Sequence, residues 1–153
     1  MRAKFEEFIR SRNLLAGGER ILLTVSGGVD SVVMTHLFTE CGYSCAIAHA
    51  NFQLRGEDSE ADEQFVRDLA GRLEIPVYVK RFDVNYEMQS RGISLQMAAR
   101  NLRYTWFHEL SETHSCTAIA TAHNLDDSVE TFLLNLSRGC GIRGLTGIPV
   151  KNG

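Results

Sequence analysis

Apolar residues in this chain alternate between short continuous runs and stripes at helical spacing. Phe5, Phe8 and Ile9 mark a short amphipathic helix, and Gly17-Gly18 ends that segment. Ile21 to Val25 is an apolar, β-branched run that predicts a buried strand. From Ser31, the residues Val32, Val33, Leu37 and Phe38 recur at helical spacing until Gly42. Cys45 to Ala48 predicts a second buried strand, ending at His49-Ala50-Asn51. Ser59-x-x-Asp62 reads as a helix start, with Phe65, Val66, Leu69, Ala70 and Leu73 as the apolar stripe behind it. Pro76 precedes a third strand, Val77 to Val79. A long helix follows from about Ser94, with Leu95, Ala98, Ala99, Leu102, Trp106 and Leu110 on one face. Thr117 to Ala120 predicts a fourth strand, and Val129, Phe132, Leu133 and Leu136 a last helix before Gly139.

Short apolar strands alternating with helices predict an α/β domain over residues 1–153, a parallel sheet covered by helices on both faces. Right-handed crossovers gather the strand-end loops on the carboxyl edge of such a sheet. Val25 leads there to Ser26, Ala48 to His49 and Ala120 to His123, so three distant segments form one site.

Composition changes this picture little. With 44% hydrophobic and 23% charged residues the chain is ordinary globular protein, which excludes wholesale disorder. Met1 to Arg20 holds no apolar stretch that would serve as a signal peptide or membrane span. Cys41, Cys45, Cys116 and Cys140 form no Cys-x-x-Cys pair and read as small buried hydrophobes. The expected compartment is the cytoplasm, without membrane attachment. A net charge of −3 argues against a free-standing nucleic-acid binder, though not against a nucleic-acid substrate gripped by local arginines or another domain. The segment Pro149 to Gly153 offers no closing element, so further domains are expected beyond it.

Ser26-Gly27-Gly28-Val29-Asp30-Ser31 follows the first strand and opens a helix. Adjacent glycines let backbone amides approach an anion, and the helix dipole adds to the attraction. Ser26 and Ser31 supply hydroxyls, and Asp30 is suited to hold a metal that neutralises phosphate. The alternative is a glycine-rich turn with Asp30 as a helix cap. Neither Gly-x-Gly-x-x-Gly nor a Gly-Lys-Ser/Thr ending is present.

His123 to Thr131 collects the carboxylates Asp126, Asp127 and Glu130 beside an imidazole. Three acids exceed what capping a helix needs, and they point to metal binding or activation of a nucleophile. His49 to Gly56 is a third cluster, in which His49 is equally a buried structural histidine and Arg55 a solvated loop charge. Arg100 and Arg103 stand one helical turn apart and can converge on a phosphate or carboxylate, although arginines on helix surfaces are common.

The loop Ser26 to Ser31 resembles the PP-loop, the pyrophosphate-binding signature of the N-type ATP pyrophosphatases. His49-x-Asn51-x-x-Leu54-Arg55-Gly56, Ser94-x-Gln96-x-Ala98-Ala99-Arg100-x-x-Arg103-Tyr104, Ala120-Thr121-Ala122-His123-x-x-Asp126-Asp127-x-x-Glu130-Thr131 and the glycine-rich stretch Arg138 to Pro149 together resemble the tRNA(Ile)-lysidine synthase family. Phe52 and Asn124 stand where family members often carry the second histidine of a pair. The resemblance implies a Rossmann-like adenine nucleotide α-hydrolase fold. It also implies ATP-dependent attachment of free L-lysine to C2 of the wobble cytidine in the CAU anticodon of tRNA(Ile), with ATP and magnesium as cofactors.

On that resemblance Ser26, Gly27, Gly28, Val29, Asp30, Ser31, His49, Arg100 and Arg103 are expected at the ATP. Asp30, Arg103, His123, Asp126 and Asp127 are the expected catalytic set, with Asp30 and Asp127 on the metal. Asn51, Arg55, Arg138 and Arg143 are expected at the tRNA. A homodimer stays open. The rivals are a sulfur-installing PP-loop tRNA thiolase, an ammonia-using synthetase such as those making GMP or NAD, and a nucleotide-binding regulator that never turns ATP over.

Overall fold

The computed structural model describes residues 1–122; the predicted last helix, the His123 to Thr131 cluster, Arg138 and Arg143 lie outside the described residues. Nine elements follow one another: α1 (Arg2–Ser11), β1 (Arg20–Thr24), α2 (Val29–Glu40), β2 (Ser44–Asn51), α3 (Glu57–Leu73), β3 (Val77–Arg81), α4 (Val84–Arg91), α5 (Leu95–Thr113) and β4 (Ala118–Thr121). The strands form one parallel sheet in the order β3-β2-β1-β4, with Leu22 of β1 level with Ala46 of β2 and Ile119 of β4.

Period-two alternation explains why β1 and β2 read as unbroken apolar runs. Ile21, Leu23 and Val25 join Cys45 and Ile47 on one face, where Ile9, Phe38, Val66 and Ala70 from α1, α2 and α3 cover them. Leu22, Ala46 and Ala48 point to the other face, under Val84 of α4 and Ala98, Trp106, Phe107 and Leu110 of α5. Both faces are buried along Ile21 to Leu23 and Cys45 to Ala48, so these central positions are all apolar. Ile47 is fully enclosed, and Ile47→Val is expected to cost about 1 kcal/mol. That loss should lower the urea midpoint without changing the slope of the transition.

The structure departs from the sequence pattern at several places, and Phe8, Val33 and Leu95, read on apolar stripes, are exposed. Helix α4 has no apolar stripe, and its one buried residue is Val84. Local chemistry makes it: Asp83 caps the amides of Asn85 and Tyr86, and Gly92 in the left-handed region stops it. Helix α3 begins at Glu57, before Ser59, and Ser59 uses its hydroxyl to accept a bond from the Arg55 amide. Phe65 is 40% exposed, because the buried face of α3 runs through Glu63, Val66, Leu69 and Ala70 instead.

Cys45 and Cys116 are buried, and desolvation pushes the Cys45 thiol up to about 11, so it packs as an inert small hydrophobe. Among the described residues no helix is long and apolar enough to cross a membrane.

The strand order decides where a ligand belongs. The chain steps outward from β1 to β2 to β3 and then returns to place β4 on the other side of β1. The winding reverses between β1 and β4, and in open parallel sheets ligands bind beyond the carboxyl ends of the strands at such a reversal. Ser26 follows β1 at that edge.

Candidate functional site

The loop after β1 is a tight turn that ends on an open helix terminus. Gly27 has φ of +99°, which an L side chain rarely adopts. Gly28 is the residue before α2, and no side chain caps that helix. Its first-turn amides and its dipole therefore serve the loop. The serines bind the turn internally: the Gly28 amide donates to Ser26 Oγ at 3.3 Å, and Ser31 Oγ donates to the Gly28 carbonyl at 2.7 Å. Ser31 is buried, whereas Ser26, Gly28, Val29 and Asp30 are exposed. Chemically this is a cradle for an anionic oxygen.

His49, at the end of β2, is buried with its Nδ1 at 2.8 Å from the Val25 carbonyl. A carbonyl only accepts, so Nδ1 carries the proton. The ring thus braces the last residue before the turn from behind.

Asn51 is buried at the tip of β2. Its amide nitrogen donates to Glu63 Oε2 at 2.9 Å and to the Ser59 carbonyl at 3.2 Å, and its Oδ1 accepts the Gln53 amide at 2.8 Å. Beyond it, Arg55 Nη2 meets Asp62 Oδ2 at 2.9 Å. The Asp62 carboxylate lies against the phosphate-type turn: a Cβ placed on Gly27 would come 3.1 Å from Asp62 Oδ1. The structure therefore brings Gly27, Asp62 and Arg55 together.

The two arginines of α5 part company. Arg103 lies over the Phe52 ring, 5.2 Å from its centroid, and so joins the loop after β2. Arg100 stacks on Tyr104 of its own helix at 4.7 Å. Arg103 keeps solvent access, yet the surrounding protein desolvates its guanidinium enough to lower the pKa from the ordinary value. Arginine remains a cation under these conditions.

Two residues escaped the sequence reading. Asp62 passed for part of a helix start. Glu63 is a buried carboxylate on the apolar face of α3, in phase with Val66 and Ala70, and an acid at that spacing was the available signal. Its Oε1 accepts two bonds from Arg67, and its Oε2 accepts from Asn51 and Arg81. Burial alone would raise its pKa, but the hydrogen bonds from Asn51, Arg81 and Arg67 outweigh that and hold it at about 2. A depressed carboxylate pKa contributes stability that is present above the unfolded value and lost as pH falls through the folded one. The urea midpoint is therefore expected to drop between about pH 4.5 and about pH 2, and Glu63→Gln should flatten that part of the profile.

Among the described residues no group of three or more His, Cys, Asp or Glu gathers as a metal site. Asp30 is exposed in the first turn of α2. Magnesium bound through nucleotide phosphates needs only one or two carboxylates, and that is the kind of site Asp30 suits.

The PP-loop domain family matches residues 1–153. The chain is 46% identical over 154 residues to a tRNA(Ile)-lysidine synthase of Chlorobaculum tepidum, covering 98% of this chain and 46% of that protein. It is 44% identical over 146 residues to one of Bacteroides thetaiotaomicron, covering 95% of this chain and 34% of that protein. A third, of Clostridium perfringens, is 40% identical over 158 residues, covering the whole chain and 34% of that protein. The chain thus spans between a third and a half of the length of these relatives. In fold it is similar to the NH3-dependent NAD synthetase of Campylobacter jejuni, with a TM-score of 0.63, 11% identity and coverage of 94% of this chain and 74% of that one. The NMN synthetase of Francisella tularensis gives a TM-score of 0.57 and 15% identity, over 97% of this chain and 73% of that one.

Proposed function

The chain belongs to the PP-loop domain family, and from that premise we propose that it carries the catalytic domain of a tRNA(Ile)-lysidine synthase. The observation that carries this reading is the identity of 40–46% to proteins of that name over 95–100% of the chain. The β1–α2 turn, the Asn51 to Gly56 loop and α5 all fall within the matched stretch.

The reaction runs in two steps. The C2 carbonyl oxygen of the wobble cytidine attacks the α-phosphate of ATP, and pyrophosphate leaves. The ε-amine of free lysine then attacks C2 and expels AMP, forming lysidine. An amide-type oxygen is a poor leaving group until adenylated, which is why the cleavage of ATP is needed.

This chain's residues divide the work. Ser26 to Ser31 hold the phosphates through the Gly27 turn and the amino end of α2. Magnesium, when bound, neutralises phosphate charge, and Asp30 and Asp127 would hold it. Arg103 presents a cation to the developing phosphate charge, with Arg100 in a supporting place. His123 and Asp126 join Asp127 as the groups that orient the reacting atoms. Asn51 and Arg55 shape the cytidine side of the pocket, with His49 behind the phosphate turn. Arg138 and Arg143 are assigned to the tRNA backbone.

The test is to incubate the full-length protein with ATP, magnesium, lysine and the isoleucine tRNA, following pyrophosphate release and lysine incorporation together. Both signals are expected. Pyrophosphate without lysine incorporation would point to a thiolase or an ammonia-using synthetase, and neither signal would sink the enzyme reading.

A further inference from the structure

Glu63 is a costly residue for its place. An acid on the buried face of α3, in phase with Val66 and Ala70, must be fully hydrogen-bonded to be tolerated. If its only task were to dock α3 on the sheet, an apolar residue would serve as well or better. What the carboxylate does, and a leucine could not, concerns Asn51.

A carboxylate only accepts, so the Asn51 edge facing Glu63 has to be its NH2. With the Ser59 carbonyl, which also only accepts, it fixes which way the amide points, and the Asn51 oxygen is turned to the Gln53 amide. Gln53 has φ of +55°, an uncommon conformation for a residue other than glycine. The Asn51 bond holds it there, and there the chain leaves β2 for the loop. The loop then runs back to α3, where the Arg55 amide donates to Ser59 Oγ and the Arg55 side chain to Asp62. Asp62 rests against Gly27, and Phe52 lies beneath Arg103 and stacks on Phe82 with centroids 5.3 Å apart. The Asn51 amide thus stands at the start of the loop whose Arg55 pairs with the Asp62 that lies against Gly27.

We propose that Glu63 is a positioning residue for nucleotide binding, acting through Asn51 to hold the Phe52 to Gly56 loop so that Arg55 and Asp62 stand against the Gly27 turn and Phe52 under Arg103. The proposal rests on the reading of the Gly27 turn as the ATP site. Arg81 and Arg67, from β3 and α3, fix the carboxylate itself. Replacing it with an amide removes the charge from the bond that anchors the Asn51 NH2 and leaves the Ser59 carbonyl as its other acceptor, so Asn51 holds Gln53 less firmly.

The experiment measures ATP affinity by calorimetry, and the KM values for ATP and lysine, in the full-length protein and its Glu63→Gln variant. The variant is expected to bind ATP about tenfold more weakly, with a matching rise in KM for ATP and none for lysine. Adding Gln53→Gly to Glu63→Gln is expected to recover most of that loss, because glycine takes the positive φ without the Asn51 bond. A purely structural Glu63 would lower the melting temperature and leave ATP affinity within about twofold, and that result overturns the proposal.

Should Glu63→Gln fail to fold, Asn51→Ala breaks the same chain of contacts while sparing Arg67 and Arg81. It should weaken ATP binding by a similar factor and be rescued by the same glycine; unchanged affinity overturns the proposal equally. A wild type that binds ATP but makes no lysidine sinks the lysidine reading alone, since Glu63 is still judged by ATP affinity. A wild type that binds no ATP overturns both.

Discussion

Gly27→Val is expected to lower kcat/KM for ATP by at least about a hundredfold while the protein stays folded. Gly27 sits at φ of +99°, where a β-branched residue is severely strained. Its missing Cβ is also what leaves room for Asp62, whose Oδ1 would be 3.1 Å from a Cβ there. Relief is available only by rotating the turn or displacing the Asp62 carboxylate. Rotation re-aims the Gly28 amide and the start of α2, and displacement loosens Arg55. Either way the anion cradle moves by a fraction of a bond length or more, and positional errors of about 1 Å cost two orders of magnitude in rate. The backbone penalty is about 1–2 kcal/mol, a loss confined to an exposed turn that the buried sheet can absorb. Steady-state kinetics in ATP and a thermal melt decide the matter. Activity within threefold of wild type would remove the turn from the site.

Asp127→Asn is expected to cut the rate of pyrophosphate release by about a thousandfold at saturating ATP. Among the described residues no group of three or more His, Cys, Asp or Glu gathers as a metal site. A hard divalent cation on nucleotide phosphates typically takes one or two protein carboxylates, and Asp127, from the segment that follows β4, is the second one assigned here. Strand β4 pairs with β1 in parallel, Thr121 level with Thr24. Asparagine keeps the shape and removes the charge. A single-turnover measurement isolates the chemical step from tRNA release. An undiminished rate would take Asp127 out of catalysis, and Asp126 would become the carboxylate to test.

Much of the fold was legible because its signals are local. The runs Ile21 to Val25 and Cys45 to Ala48 mark the centres of β1 and β2, which are apolar because both faces are buried there, while β2 runs on through His49 to Asn51. Helix α5 began at its capping Ser94 as the sequence indicated. Helix α4 was missed because it buries only Val84 and owes its existence to a cap and a stop, with no stripe to detect. Phe65 misled the reading of α3 because Glu63, a polar residue, occupies the buried position its phase would have taken.

The site was legible as types and edges. The turn Ser26 to Ser31 could be picked out because a strand, two glycines and a helix start mark a candidate anion cradle. His49 could not be divided between its two readings, since its ring's partner is the Val25 carbonyl just past β1, 24 residues away. Arg100 and Arg103 looked equivalent, and only the placement of Phe52 and Tyr104 told them apart.

The chain's own order of apolar and polar residues thus determined the alternation of strands and helices, the burial of the sheet on both faces and the identity of the phosphate turn, because periodicity and turn chemistry act over a few neighbouring residues. The tertiary structure alone decided that Asp62, paired with Arg55, reaches Gly27, that Arg103 rather than Arg100 meets the β2 loop, and that Glu63 joins the Ser59 carbonyl in holding the Asn51 amide. Each of those depends on the separation and register of elements far apart in the chain, which strand order and packing establish only when the sheet closes.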